Sequence, residues 1–272
     1  MTLNLKYAAQ KKGKRINLFL KGNLDLRDSL HSLRINGKVE WNGLNEIARE
    51  RFSHIKFRLY HEIFTRSDAL LRSRGEVPGE LSDLDQNFGP YTLQSQFSDA
   101  IFDAKPDVFV LSLMPDVMTN MLVHQQGGYL LYPGDLRYWA GSNLAWLRKN
   151  FNISPPLSVA ISMDNFTKII EKCREHTDAP ILIYNLSSVI PGESVHCYLG
   201  LEEALSTRIQ SFNLALQELS RNTGISIVDV DRVVACHGAS NLKIDALHLN
   251  AKGCRLVAEE VLRILEDIGC LD

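Results

Sequence analysis

The sequence predicts an α/β protein, a five-stranded parallel sheet with helices on both faces. Two observations carry that expectation. Short apolar runs alternate with amphipathic stretches five times along the chain, the rhythm of repeated strand–helix crossovers. Most of those runs are continuously apolar, as strands covered on both faces should be, rather than alternating with polar residues. Composition adds a third. At 272 residues, 45% hydrophobic and 23% charged, the chain can bury a substantial core without metals or disulfides.

The elements follow in order. INLFL (16–20) reads as the first strand and Leu44 to Phe52 as a helix by its spacing. KFRLYHEI (56–63) is the second strand. QSQFSDAIFDA (94–104) reads as helix, with Pro106 beyond it, and DVFVLSL (107–113) is the third strand. FTKIIEKCRE (166–175) is helical. PILIYNL (180–186) is the fourth strand, with proline tolerated at its start. Residues 201–224 form a long amphipathic helix that Gly224 should stop. ISIVDV (225–230) is the fifth strand, and NAKGCRLVAEEVLRILEDIG (250–269) the last helix. There is no repeat, low-complexity tract or linker, so one domain over 1–272 is expected. The stretch 114–156 breaks the rhythm and carries Tyr129, Tyr132, Tyr138, Trp139 and Trp146. An aromatic-rich insertion at that place reads either as a substrate wall or lid, or as a packed excursion or subunit contact.

Charge and motifs narrow the function classes. A formal net charge of -2 gives no reason to expect nucleic acid or an acidic membrane as partner. KKGKR (11–15) reads as a solvated lead-in to the first strand. No run reaches the ~18 apolar residues of a membrane span, and the first residues do not read as a signal peptide. The five cysteines, Cys173, Cys197, Cys236, Cys254 and Cys270, show no CxxC spacing. They read as reduced thiols in a cytoplasmic protein. No phosphate loop, dinucleotide fingerprint or HExxH pair occurs, so no cofactor and no metal is expected.

Open parallel sheets bind ligands beyond the carboxyl ends of their strands. Asp245 and His248, in DALHLNAKG (245–253), follow the fifth strand. A serine hydroxyl is a weak nucleophile and needs a base. A histidine supplies one when a carboxylate holds its tautomer, and residues three apart on a turn can face the same crevice. The plainer reading is a capping aspartate and a surface histidine.

DALHLNAKGCRLVAEEVL resembles the last conserved block of the SGNH (GDSL-like) hydrolases, and strand order and spacing are similar over about 16–268. The resemblance implies a flavodoxin-like three-layer α/β/α fold. It implies an esterase, lipase, thioesterase or deacetylase activity on an acyl ester, with Asp245 and His248 in a Ser-His-Asp triad. The other blocks depart from the family pattern. Gly22 and Asn23 align with the Gly-Asp of the nucleophile turn, which puts Leu24 where serine belongs. Ser29, after Asp28 in RDSL, then becomes the candidate nucleophile, unless Asp28 or Ser29 caps a short helix. Ser67 aligns with the glycine whose N–H serves the oxyanion. Arg66 and Ser67 can alternatively contact an anionic substrate, or Thr65 or Ser67 caps a helix. Pro115 and Asp116 occupy the Asn-Asp positions, so one oxyanion donor is lost, and Arg66 or Arg27 is the expected partner of Asp116. Asn185 is a candidate substitute donor, against a plain turn role. His196 beside Cys197 is a weaker pairing, since neighbours on an extended chain point apart. Two functions stay open: a divergent hydrolase of a small-molecule acyl ester, or a protein of this fold that has lost the serine and binds a ligand or runs acid–base chemistry with His248, Asp245, Asp116 and Arg66.

Overall fold

The computed structural model describes residues 13–63, 66–82, 88–139, 141–193 and 202–272. His196, Cys197 and Thr65, singled out above, lie outside those residues. Five strands build the central sheet: β1 (Lys14–Gly22), β2 (Ile55–Ile63), β3 (Val108–Ser112), β4 (Ile181–Tyr184) and β5 (Ser226–Val228). Their spatial order is β5–β4–β3–β1–β2, and every neighbouring pair is parallel.

The period-two geometry of a strand sorts side chains between the faces. Ile16, Leu18, Leu20, Val108, Val110, Leu182 and Tyr184 join a core with helices Leu44–Arg51, Val230–His237 and Ala251–Asp267. Phe19, Phe109, Leu111, Ile181 and Ile183 join the opposite core, against helices Val159–Arg174 and Leu205–Thr223. Three layers result, because a strand apolar on both sides needs helical cover on both. Gly224 ends its helix with φ 70°, the left-handed conformation in which glycine has no side-chain clash.

Two expectations need correcting. The helix expected over 94–104 stops at Phe97 (Leu93–Phe97). The reason lies on β1: the buried Lys21 ammonium takes the carbonyls of Ser95 and Ser98 at 2.8 and 3.2 Å and pairs with Glu62 at 2.6 Å. Ser98 turns to extended backbone, and its hydroxyl donates to Glu62 at 2.6 Å. Those carbonyls serve a buried cation in place of further helical turns. The second correction is a hairpin the strand count missed, Leu33–Ile35 against Lys38–Trp41. Asn36 and Gly37 form its turn, with φ 51° and 77°.

The aromatic insertion is a packed excursion. Strand Met121–His124 pairs antiparallel with Leu130–Leu131 and with Phe151–Ser154. Leu122, Leu131, Trp139, Leu147 and Phe151 close a small core with Leu81 and Phe97. No described helix is long and apolar enough to cross a membrane.

Candidate active site

The chain runs from β1 out to β2 and returns to β3 on the other side of β1, so the strand order reverses between β1 and β3. A ligand crevice is expected at the carboxyl ends there, and a small cleft of about 40 Å³ lies in that region. The turn after β1 gives it Asp25, Asp28 and Ser29, the end of β4 gives Tyr184 and Asn185, and the C-terminal segment gives Lys243 and His248. Gly22 lets the turn form. A Cβ there would lie 2.7 Å from a Leu26 methyl and 2.8 Å from the Ser112 Cβ, so any larger residue pushes the turn off β3. Asn23 caps the next helical turn by accepting the Leu24 N–H at 2.7 Å.

His248 and Asp245 are a hydrogen-bonded pair. His248 Nδ1 lies 2.8 and 3.0 Å from the two Asp245 carboxylate oxygens. Asp245 Oδ1 also accepts the backbone N–H groups of Leu247 and His248, each at 2.8 Å. Burial alone raises the Asp245 carboxyl, but those N–H groups and the His248 ring outweigh it and hold the group below its ordinary range. An ionised Asp245 fixes the proton on Nδ1 and leaves the Nε2 lone pair to act as base. Among the described residues, Nε2 makes no hydrogen bond. Both side chains are about half exposed, 45% and 54%.

The nucleophile position holds Leu24, at the start of the helical turn Leu24–Leu26. Ser29 lies in the π-helical turn that follows, Arg27–His31, and is 1% exposed. Its Oγ donates to the Asp25 carbonyl at 2.6 Å and lies 3.2 Å from the Tyr184 hydroxyl. The Ser29 carbonyl accepts the Trp41 indole N–H at 2.8 Å. Ser29 borders the cleft that His248 borders, but its hydroxyl is bonded to Asp25 and lies against Tyr184, with no hydrogen bond to the imidazole. Asp28 takes two bonds from Arg27, at 2.8 and 2.7 Å.

Asp25 was not foreseen as a site residue. It borders the cleft at the reversal point, and its Oδ2 accepts the Ser112 hydroxyl at 2.5 Å. Its Oδ1 accepts the Leu26 N–H at 2.9 Å. Burial pushes its carboxyl up to about 6, against the Ser112 and Leu26 hydrogen bonds that favour the charged form. The sequence signal for Asp25 is its place next to Leu24. Its partner Ser112 comes from β3, which sequence spacing does not reveal.

The other expected site residues turn inward. The Ser67 N–H donates to Asp116 Oδ1 at 2.7 Å, so it is not available to an oxyanion. Asp116 Oδ2 accepts the Ser67 and Ser162 hydroxyls at 2.5 and 2.6 Å. The partners of Asp116 are therefore serines, not the expected Arg66 or Arg27. Burial lifts its carboxyl to about 6. Arg66 is fully buried, forks onto Asp68, and donates to the carbonyls of Thr119, Ser154 and Pro155. It fastens the insertion to the sheet. None of Arg66, Ser67 and Asp116 borders the cleft. Asn185 does, but its amide donates to Asp229 at 2.8 Å and accepts the Asp231 N–H at 3.2 Å. That joins the end of β4 to the helix after β5. Gly22 and Asn23 shape the turn, as described.

Lys243 and Cys254 also border the cleft. Burial lowers the Lys243 ammonium to about 8, against the pull of Asp245, Asp231 and Glu193. Burial pushes the Cys254 thiol up to about 12, which makes it an inert packing group. Among the described residues, no three metal-binding side chains converge.

No family model matches the sequence, and no curated protein does. Solved structures match over nearly the whole chain. Axe2, an acetylxylan esterase from Geobacillus stearothermophilus, has 11% identity, 95% coverage of both chains and a TM-score of 0.50. LAE5, an alpha/beta hydrolase enzyme from the metagenome of Lake Arreo, Spain, has 14% identity, 94% and 96% coverage and a TM-score of 0.50. A putative SGNH hydrolase from Slackia heliotrinireducens has 14% identity, 92% and 98% coverage and a TM-score of 0.48. At such identities what is shared is the architecture, and the chain has a three-layer α/β/α fold like that of the acetylxylan esterase and LAE5.

Proposed function

We propose that the protein is a hydrolase of acyl esters, of esterase, thioesterase or deacetylase type, with His248 as its base. One observation carries the reading. The imidazole is held by Asp245 through Nδ1, keeps Nε2 unbonded among the described residues, and borders the same cleft as the β1 turn. Esterases are built on this fold, although fold alone does not assign chemistry. The substrate is a small-molecule ester.

In the Ser-His-Asp form of this reading, Ser29 attacks the acyl carbon. It must first swing its hydroxyl off the Asp25 carbonyl, which gives up a hydrogen bond worth about 1 kcal/mol. The swing is affordable, but the side chain must also reach substrate from a buried turn. Leu24 at the nucleophile position and the inward bond of Ser29 favour a second form, in which His248 activates a water molecule. The water form asks for no rearrangement of the turn, and we adopt it. The alternative of pure ligand binding leaves the free Nε2 without a task.

Labelling with a fluorophosphonate, followed by peptide mapping, separates the forms. Under the water form, protein that turns over 4-nitrophenyl acetate acquires no adduct. An adduct on Ser29 establishes the serine form. Failure to turn over any of a panel of aryl, alkyl and thiol esters, with stabilisation by small anionic ligands instead, overturns the hydrolase reading.

A further inference from the structure

The turn after β1 offers the cleft a second ionisable group. Asp25 stands where the strand order reverses, one residue beyond the leucine at the nucleophile position. Its carboxyl is anchored on both oxygens, by Ser112 from β3 and by the Leu26 N–H. His248 borders the same cleft. A cleft bordered both by an imidazole nitrogen that is unbonded among the described residues and by an anchored carboxyl holds the two groups an acid–base pair needs. We propose that Asp25 is the general acid of the hydrolase reaction, protonating the leaving-group oxygen while His248 deprotonates water. The proposal rests on the hydrolase reading of the cleft.

The step balances. The water oxygen bonds to the acyl carbon as its proton passes to His248 Nε2. The tetrahedral intermediate then collapses, the bond from the acyl carbon to the leaving oxygen breaks, and that oxygen takes the Asp25 proton. The products are a carboxylic acid and an alcohol. The imidazolium proton returns to the Asp25 carboxylate through solvent, and both groups are reset. No covalent intermediate forms, so neither Leu24 nor the inward Ser29 is an obstacle.

The environment suits a carboxyl that keeps its proton above the ordinary carboxylate range. Burial raises it to about 6, with Asp28 on the same turn adding to the effect. Tyr184 from β4 and Cys254 from the last helix face it, both uncharged at neutral pH because burial raises them as well. Tyr91 is also within its electrostatic reach and titrates far higher, at about 12. Lys243 also borders the cleft, and Arg27 on the same turn is paired with Asp28. Only Ser112 and backbone N–H groups pull the carboxyl down.

The test is the dependence on the leaving group. A 4-nitrophenolate departs without a proton, whereas an alkoxide needs one. Asp25→Asn is expected to lose about 100-fold or more in kcat/KM on ethyl acetate and less than about 10-fold on 4-nitrophenyl acetate. The fall in wild-type activity as pH rises through about 6 should disappear with it. Ser112→Ala, which removes the hydrogen bond that favours the charged form, should move that fall to higher pH while leaving Asp25 in place. The Ser112 variant keeps the test alive should Asp25→Asn fail to fold. Equal losses on both esters, with the pH profile unmoved by Ser112→Ala, overturn the role of Asp25 and leave the hydrolase reading standing. A wild-type protein inert toward both esters overturns the hydrolase reading, and the role of Asp25 with it.

Discussion

Asp116 shows how far a residue's chemistry depends on what surrounds it. In sequence it stands at a site position, beside the proline that replaces a donor. In the fold it is 1% exposed and accepts three hydrogen bonds from Ser67 and Ser162. Its carboxyl titrates near 6 in place of the ordinary 3.8, so the folded protein holds this proton more tightly than the unfolded chain. The stabilisation is complete below about pH 4 and is lost as pH rises to about 6. Within that window it amounts to at most about 1.4 kcal/mol per pH unit. Melting temperatures of Asp116→Asn between pH 4 and 7 should therefore fall less steeply with pH than those of the wild type. An unchanged slope would contradict the assignment. At the same scale, the pairing of Asp245 with His248 was legible because a spacing of three puts both groups on one turn. Asp25 was not, since what singles it out is Ser112, 87 residues away in sequence. Ser29 illustrates the converse, because a motif-like DS pair does not reveal which way its hydroxyl points.

Elements were read well where local pattern and burial agree. All five strands lie where the apolar runs place them, and Gly224 ends its helix as expected. The shortened helix at Phe97 was hidden from the sequence because its stop comes from Lys21, a residue inside a strand. Lys21 and Glu62 are nearly inaccessible, with side chains 0% and 6% exposed. Breaking one partner of a buried pair leaves the other uncompensated. Glu62→Gln should destabilise the protein by roughly 3–5 kcal/mol, read as a lower denaturant midpoint at unchanged m-value. Loss below about 1 kcal/mol would mean that the pair is better solvated than it stands here. The missed hairpin was within reach of the sequence. Asn36-Gly37 is a strong two-residue turn signal, but the flanking runs are short and mostly exposed, which hid it. Gly37→Ala, at φ 77°, should cost about 1 kcal/mol through backbone strain, measured in the same way.

For the whole molecule, the strand–helix rhythm conveyed the layers but not the sheet order, and the order is what puts the cleft between the β1 and β3 ends. Sequence leaves the insertion open between a lid and a packed excursion, because its small core around Trp139 and Phe151 draws Leu81 and Phe97 from outside it. With Arg66 and Ser67 committed to holding the fold together, the proposed chemistry falls to the β1 turn and the C-terminal segment. The central claim is that His248 in this cleft drives ester hydrolysis. The most direct test compares steady-state hydrolysis of 4-nitrophenyl acetate by the wild type and by His248→Gln, with both shown to be folded by their melting curves. kcat/KM is expected to fall by about 10²–10⁴. Turnover by His248→Gln at the wild-type rate would contradict it.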